Sequence, residues 1–202
     1  MKKLAKLAVF FLAAFLFVQG LLLIKDKYSL QQNVIRLHVV AHSDDVEDQK
    51  LKLSVRDAVL CYMDDTMNNI SSKNSAMEYL CTHMDEIQFT AQQAVDKGGY
   101  HYPVEVTLQK EEFPTREYDT FSLPAGCYDA LRVNIGEASG KNWWCVTFPK
   151  LCLPATSESF VEVAADAGFS KSLTNTLENK DGYRLRFYLL ERLNNLEKIF
   201  VK

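Results

Sequence analysis

The sequence predicts an α+β fold: a mainly antiparallel sheet with two long N-terminal helices on one face and short C-terminal helices, placed behind an apolar N-terminal segment. Three observations carry this. A β-branched, apolar run at residues 34–41 is followed by two stretches of helical periodicity, 45–64 and 75–97. Three runs of strand character then fall at 102–110, 128–136 and 143–148, joined by connections short enough to favour antiparallel neighbours. The composition, 48 % hydrophobic and 11 % aromatic, supplies a core, and no repeat, low-complexity tract or Gly/Ser linker divides it.

The N-terminus sets the compartment. Lys2, Lys3 and Lys6 precede an uncharged run at residues 7–24 that only Gln19 and Gly20 interrupt. A basic flank before an apolar run is the pattern of a secretory signal or an N-terminal membrane anchor. The run lies at the short end of what crosses a bilayer as a helix. Val18-Gln19-Gly20 is small enough for cleavage, whereas Leu21 to Ile24 would leave a greasy new terminus, so both readings stay open. The basic flank favours the cytoplasmic side, which places Lys25 onward outside the cytoplasm. The expected organisation is 1–24 signal peptide or anchor, 25–33 polar tether, and 34–202 one extracytoplasmic domain. Removing residues 1–24 takes away three lysines and no acid, so the formal charge moves from −3 to −6. An acidic domain without a basic stripe is a poor nucleic-acid partner.

Taking the elements in order, the strand at 34–41 is stopped by His42-Ser43-Asp44-Asp45. Asp44 and Glu47 have capping-box spacing, and the first-turn acids suit the helix dipole. Leu51, Val55, Ala58, Val59, Tyr62 and Met63 then share one helical face. After a polar turn at 68–74, the second helix carries Ala76, Leu80, Met84, Ile87, Ala91 and Val95 on one stripe and ends at Gly98-Gly99. Val104, Val106 and Leu108 alternate with Glu105, Thr107 and Gln109, the period of a half-exposed strand. Residues 111–123 read as irregular, and Pro124-Ala125-Gly126 as a turn. The strand at 128–136 passes through a hairpin-like connection at 136–141 into the strand at 143–148. Strand, two helices and a meander result, with the first and last core strands in one sheet. Short helices at 157–167 and 170–178, a strand at 183–189 and a final helix from Leu190 complete the expectation.

Two stretches invite chemistry. His42-Ser43-Asp44-Asp45 sets a histidine, a serine and acids at a strand-to-helix turn. A nucleophile elbow needs glycines flanking the serine, and a calcium loop needs spaced oxygen ligands with a turn glycine; neither pattern is present. Helix capping or a protein-recognition surface remain. His38 alternates against Leu37 and Val39 with no second His or Cys at ligand spacing, so it reads as a packed or sheet-surface histidine, and no metal or cofactor is expected. The second stretch, residues 142–153, puts Trp143 beside Trp144, and Cys145 seven positions before Cys152 with Pro149 between. A turn at Pro149-Lys150 brings the two cysteines together as a disulfide, which an oxidising compartment favours. The alternative is a core strand with incidental thiols. Cys61 and Cys81, one on each predicted helix, are expected to be unpaired small core residues. Two other function classes stay open: a thiol or serine enzyme using Cys145 or Ser43, which lacks a base at recognisable spacing, and a cell-wall glycan-binding module using Trp143 and Trp144.

Three blocks together carry a resemblance: Ile35-Arg-Leu-His-Val-Val-Ala-His-Ser-Asp44 continuing through Glu47 to Leu60, Leu123-Pro-Ala-Gly with Tyr128-Asp-Ala-Leu-Arg-Val-Asn-Ile-Gly136, and Gly140-Lys-Asn-Trp-Trp-Cys-Val-Thr-Phe-Pro-Lys-Leu-Cys-Leu153. The chain resembles the stage II sporulation protein R family of endospore-forming Firmicutes. The resemblance implies a signalling protein and not an enzyme, with no small-molecule substrate. It implies export from the forespore into the space between the forespore and mother-cell membranes. There it would activate a membrane-embedded aspartic protease that removes the pro-sequence of the mother-cell sigma factor, of pro-sigma-E type. The receptor-interaction candidates are His42, Ser43, Asp44, Asp45, Glu47 and Asp48 on the turn, with Trp143 and Trp144 at the rim of the Cys145–Cys152 loop. Two positions depart from the family pattern: His42 stands where Asn is frequent, and Cys127 stands where another residue is expected.

Overall fold

A computed structural model of the chain describes residues 2–67, 70–118, 121–149, 165, 169 and 171–178. Helix α1 runs unbroken over Lys2–Asn33. Its large apolar side chains from Leu7 to Leu22, and that of Ile24, are exposed, and its span is long and apolar enough to cross a membrane, as a signal or an anchor would. Residues 25–33, read from their polarity as a tether, are the last turns of this helix and are docked on the domain. Leu30 is fully buried. Lys73 Nζ donates to the Gln31 carbonyl at 2.8 Å and pairs with Asp129 at 2.7 Å. That carbonyl is one of the four a helix end leaves without an internal partner, and the lysine also meets the negative end of the helix dipole. The ends of the Gln31 and Lys27 side chains pack over Gly126 at the start of β5.

The main sheet has the order β2-β5-β1-β6, built from β1 (Ile35–Val40), β2 (Val104–Phe113), β5 (Gly126–Ile135) and β6 (Asn142–Phe148). A two-stranded hairpin, β3 (Arg116–Glu117) with β4 (Ser122–Leu123), occupies the region expected to be irregular. β2 and β5 are antiparallel, as are β1 and β6, while β1 and β5 are parallel. The fold is thus α+β with a mostly antiparallel sheet, but the expected meander needs correction: β5 and β6 do not pair, because β1 lies between them. A short connection shows that two strands end close together, not that they are neighbours. All six residues of β1 are buried, so the central position suits it. The 136–141 connection therefore arches over the end of β1, with the Gly140 N–H donating to the Ala41 carbonyl at 3.0 Å.

Helix α2 spans Val46–Thr66. The expected second helix is two, α3 (Lys73–Thr82) and α4 (Met84–Lys97), broken at His83. The apolar stripe continues across the break, so periodicity alone does not mark it. Helix α5 (Lys171–Glu178) matches the expected short helix at 170–178. Strand side chains alternate between faces. Leu37, Val39, Val106, Leu131 and Val133 pack against Leu51, Val55, Val59, Ile87, Ala91 and Val95 of the helical layer. On the opposite face Phe113, Tyr128 and Val146 join Leu30, Phe121, Leu123 and Leu173 in a second core. The expected helix at 157–167 apart from the helical residue Ala165, the strand at 183–189, the final helix and Cys152 lie outside the described residues.

Candidate functional site

The end of β1 and the 136–141 connection form one hydrogen-bonded turn cluster. The His42 ring stacks on Tyr102 with centroids 4.0 Å apart, and its Nδ1 accepts the Glu137 N–H at 3.0 Å. The His42 carbonyl accepts from Ser139 Oγ at 2.7 Å. Gly136, at φ 56°, and Gly140 leave room for this: a Cβ at either would collide, with the His42 ring or with the Ser43 carbonyl. Ser43 Oγ donates to the buried Asp48 carboxylate at 2.6 Å and accepts the Asp45 N–H at 3.1 Å. Asp44 accepts the Lys141 N–H at 2.7 Å. The expected Asp44/Glu47 capping box does not form: Asp45 is the N-cap of α2 without a side-chain cap bond, and Glu47 pairs with Lys50. Lys52, buried beneath, donates to Gln49 and to the Lys141 carbonyl, and burial holds its pKa below the usual lysine value.

The predicted site residues therefore divide by role. His42, Ser43, Asp44 and Asp48 build the turn. Asp45 and Glu47 project from it into solvent on either side of Val46, which is 67 % exposed. The tryptophans lie next to this end of the sheet, since Trp143 is opposite Val39 and Asn142 opposite Val40. They face opposite sides. Trp143 packs on the helical layer with the Arg56 guanidinium 4.2 Å from its ring centroid. Trp144 stacks on His38 with centroids 3.8 Å apart and meets Phe113 edge-on. Each indole already carries a stacking partner from its own chain. Cys61 and Cys81, expected in the core, are free and exposed, as is Cys127, whereas Cys145, buried on β6, is not a free thiol.

The second sheet face holds a buried polar row that attention to single motifs passed over. Arg36 and His38 alternate with Ile35, Leu37 and Val39, so both point away from the helices and are almost fully buried. Arg36 donates to the Cys145 carbonyl at 3.0 Å and to Tyr118 Oη at 2.8 Å, over the Phe113 ring. His38 Nδ1 is 2.8 Å from Glu111 Oε1, which also accepts from Arg132 at 2.8 Å. His38 Nε2 is 2.7 Å from Asn142 Oδ1. Burial lowers the His38 pKa, against the opposing effects of Asn142 and Glu111. A neutral ring donates only once, so with Nδ1–H committed to Glu111, the Asn142 amide must turn its NH2 group to Nε2. Arg36 Nη1 and Glu111 Oε2 are buried without a hydrogen-bond partner. The signal for this row was the pair Arg36 and His38 at i, i+2 inside an otherwise apolar strand. No group of three or more His, Cys, Asp or Glu able to hold a metal occurs among the described residues.

Comparison with known proteins agrees with the sequence blocks. The family described as Stage II sporulation protein R matches residues 31–158. The Stage II sporulation protein R of Bacillus subtilis (strain 168) is 31 % identical over 186 residues, covering 83 % of each chain. No solved structure matches significantly. The match takes in the turn cluster, the buried row and both tryptophans, and on that ground the chain belongs to the Stage II sporulation protein R family, with a role in sporulation.

Proposed function

We propose that this protein is an extracytoplasmic signal made in the forespore, which activates a membrane-embedded aspartic protease of the mother-cell membrane and so triggers processing of a pro-sigma-E-type factor. Family membership across residues 31–158 carries this reading. The turn cluster supports it: a signal must bind its receptor through a defined surface, and a pre-ordered turn binds without paying an ordering cost. In this reading Asp45, Val46 and Glu47 meet the receptor, held in place by His42, Ser43, Asp44 and Asp48. Trp143 and Trp144 stiffen the strand behind them. In the same reading Cys145 bonds Cys152 and is not available as a nucleophile, and the protein acts as a signal and not as an enzyme.

The test is immunoblotting of the mother-cell sigma-factor precursor in a sporulating host lacking this gene. The precursor is expected to accumulate, and exported Lys25–Lys202 made in the forespore is expected to restore cleavage. Asp45→Lys with Glu47→Lys should abolish restoration while the protein is still exported and folded. Normal processing without the gene, in a host with no second copy, overturns the reading. Thiol titration of the unreduced, denatured protein checks the bridge: three free thiols are expected, those of Cys61, Cys81 and Cys127.

A further inference from the structure

The docked end of α1 says how the intact chain sits on its membrane. An exported domain is commonly pictured on a loose tether, yet here no tether exists between the apolar span and the fold. α1 is continuous to Asn33, and Val34 alone separates it from β1. Its last turns are fixed by fully buried Leu30, by Lys73 on the Gln31 carbonyl, and by the close approach to Gly126. The 18 uncharged residues from Leu7 to Ile24 span about 27 Å at a rise of about 1.5 Å each, close to one hydrocarbon core. Lys25, Asp26, Lys27 and the exposed Tyr28 follow, the charged and aromatic residue types that suit a headgroup layer. Leu30 lies only about 9 Å beyond Ile24 along the helix, roughly the thickness of that layer, and any tilt brings it nearer.

We propose that the intact chain rests its domain directly on the bilayer, with α1 as a stiff strut and the end of the sheet where β1 and β5 begin, at Lys27 and Gly126–Cys127, against the phospholipid headgroups. β5 runs from this end to Ile135, a length of about 30 Å at roughly 3.3 Å per residue. The turn cluster at His42–Asp48 and Glu137–Lys141 is then at the far end, directed away from the protein's own membrane. A receptor in an apposed membrane is met head-on, and one in the same membrane is not. This rests on the extracytoplasmic placement proposed above and adds the orientation.

The experiment uses the full chain in phosphatidylcholine/phosphatidylglycerol nanodiscs that carry a headgroup nitroxide quencher. With Cys61→Ser and Cys81→Ser throughout, a fluorophore is placed either on native Cys127 or, in a Cys127→Ser background, on Glu137→Cys. Most of the emission at 127 should be quenched, and little of that at 137. A flexible Gly/Ser insertion between Ile24 and Lys25 should release the quenching at 127. Equal quenching at both positions, or quenching at 127 that survives the insertion, overturns the strut. No receptor is present, so failure here leaves the signalling reading standing, and a failed sporulation assay leaves this result intact.

Discussion

Glu111→Gln is the sharpest probe of the buried polar row. The carboxylate receives both His38 and Arg132 on one oxygen, so a single isosteric change removes the negative charge that both rely on. A hydrogen bond to a charged group contributes about 1.5–3 kcal/mol, and breaking a fully buried pair costs about 3–5 kcal/mol. Arg132 and Glu111 retain 27 % and 14 % side-chain exposure, so the lower range applies, and the amide oxygen still accepts one bond. A loss of about 1.5–3 kcal/mol is expected, read as the shift in urea midpoint of Lys25–Lys202 at pH 7.5. The pH profile is the second readout. His38 has a folded pKa below its ordinary 6.5, chiefly from burial, so the unfolded chain takes up the proton first. The stabilisation is complete above pH 6.5 and is lost as pH falls from there through the lowered folded value. Glu111 holds that value up, so the Gln variant should extend the loss to lower pH. A midpoint and a pH profile both equal to those of the parent would refute the claim that this row supports the sheet.

Three further outcomes follow from the same geometry. Leu30→Ala should destabilise the domain by about 2–5 kcal/mol in urea unfolding, the cost of emptying a buried leucine site, although residue 30 belongs to the N-terminal helix. Gly140→Ala should cost about 1–3 kcal/mol and broaden the amide signals of residues 42–44 in NMR spectra, because its methyl group meets the Ser43 backbone. Tyr118→Phe leaves Arg36 Nη2 as well as Nη1 without a partner, and should lower the thermal midpoint by an amount equivalent to about 1–3 kcal/mol.

Much of the fold was legible because the long strands β2 and β5 declared their period, whereas the two-residue strands β3 and β4 were too short to show one. Val104, Val106 and Leu108 alternate, as do Leu131, Val133 and Ile135, and both sets face the helical layer. The order of strands was not legible, since the pairing of β1 with β5 and β6 rests on contacts that local pattern does not encode. The docking of residues 25–33 was hidden because one apolar side chain, Leu30, carries it within a polar stretch. At the candidate site the sequence marked the turn at residues 42–48 as a unit, but not its division into residues that build the turn and residues that project from it. Asp48 and Asp45 look alike in sequence, and only the fold buries one beneath Ser43 and leaves the other in solvent. His38 gave no sign of its partners, because Glu111 and Asn142 reach it from strands far along the chain.

The central position of β1 also bears on when the domain can form as the chain is made. Arg36 bonds the Cys145 carbonyl across 109 residues, and every residue of β1 needs β5 on one side and β6 on the other. Contacts so distant in sequence fold slowly, because a long loop must close before they reward it. The first strand to emerge is therefore the last to be flanked on both sides. A chain stopped before Asn142 has one edge of β1 bare, with its backbone donors and acceptors open to pairing with other chains. The sheet closes on both sides of its central strand only after the tryptophan strand has been made, so the residues from Asn142 to Phe148 complete the core that Ile35–Val40 begins.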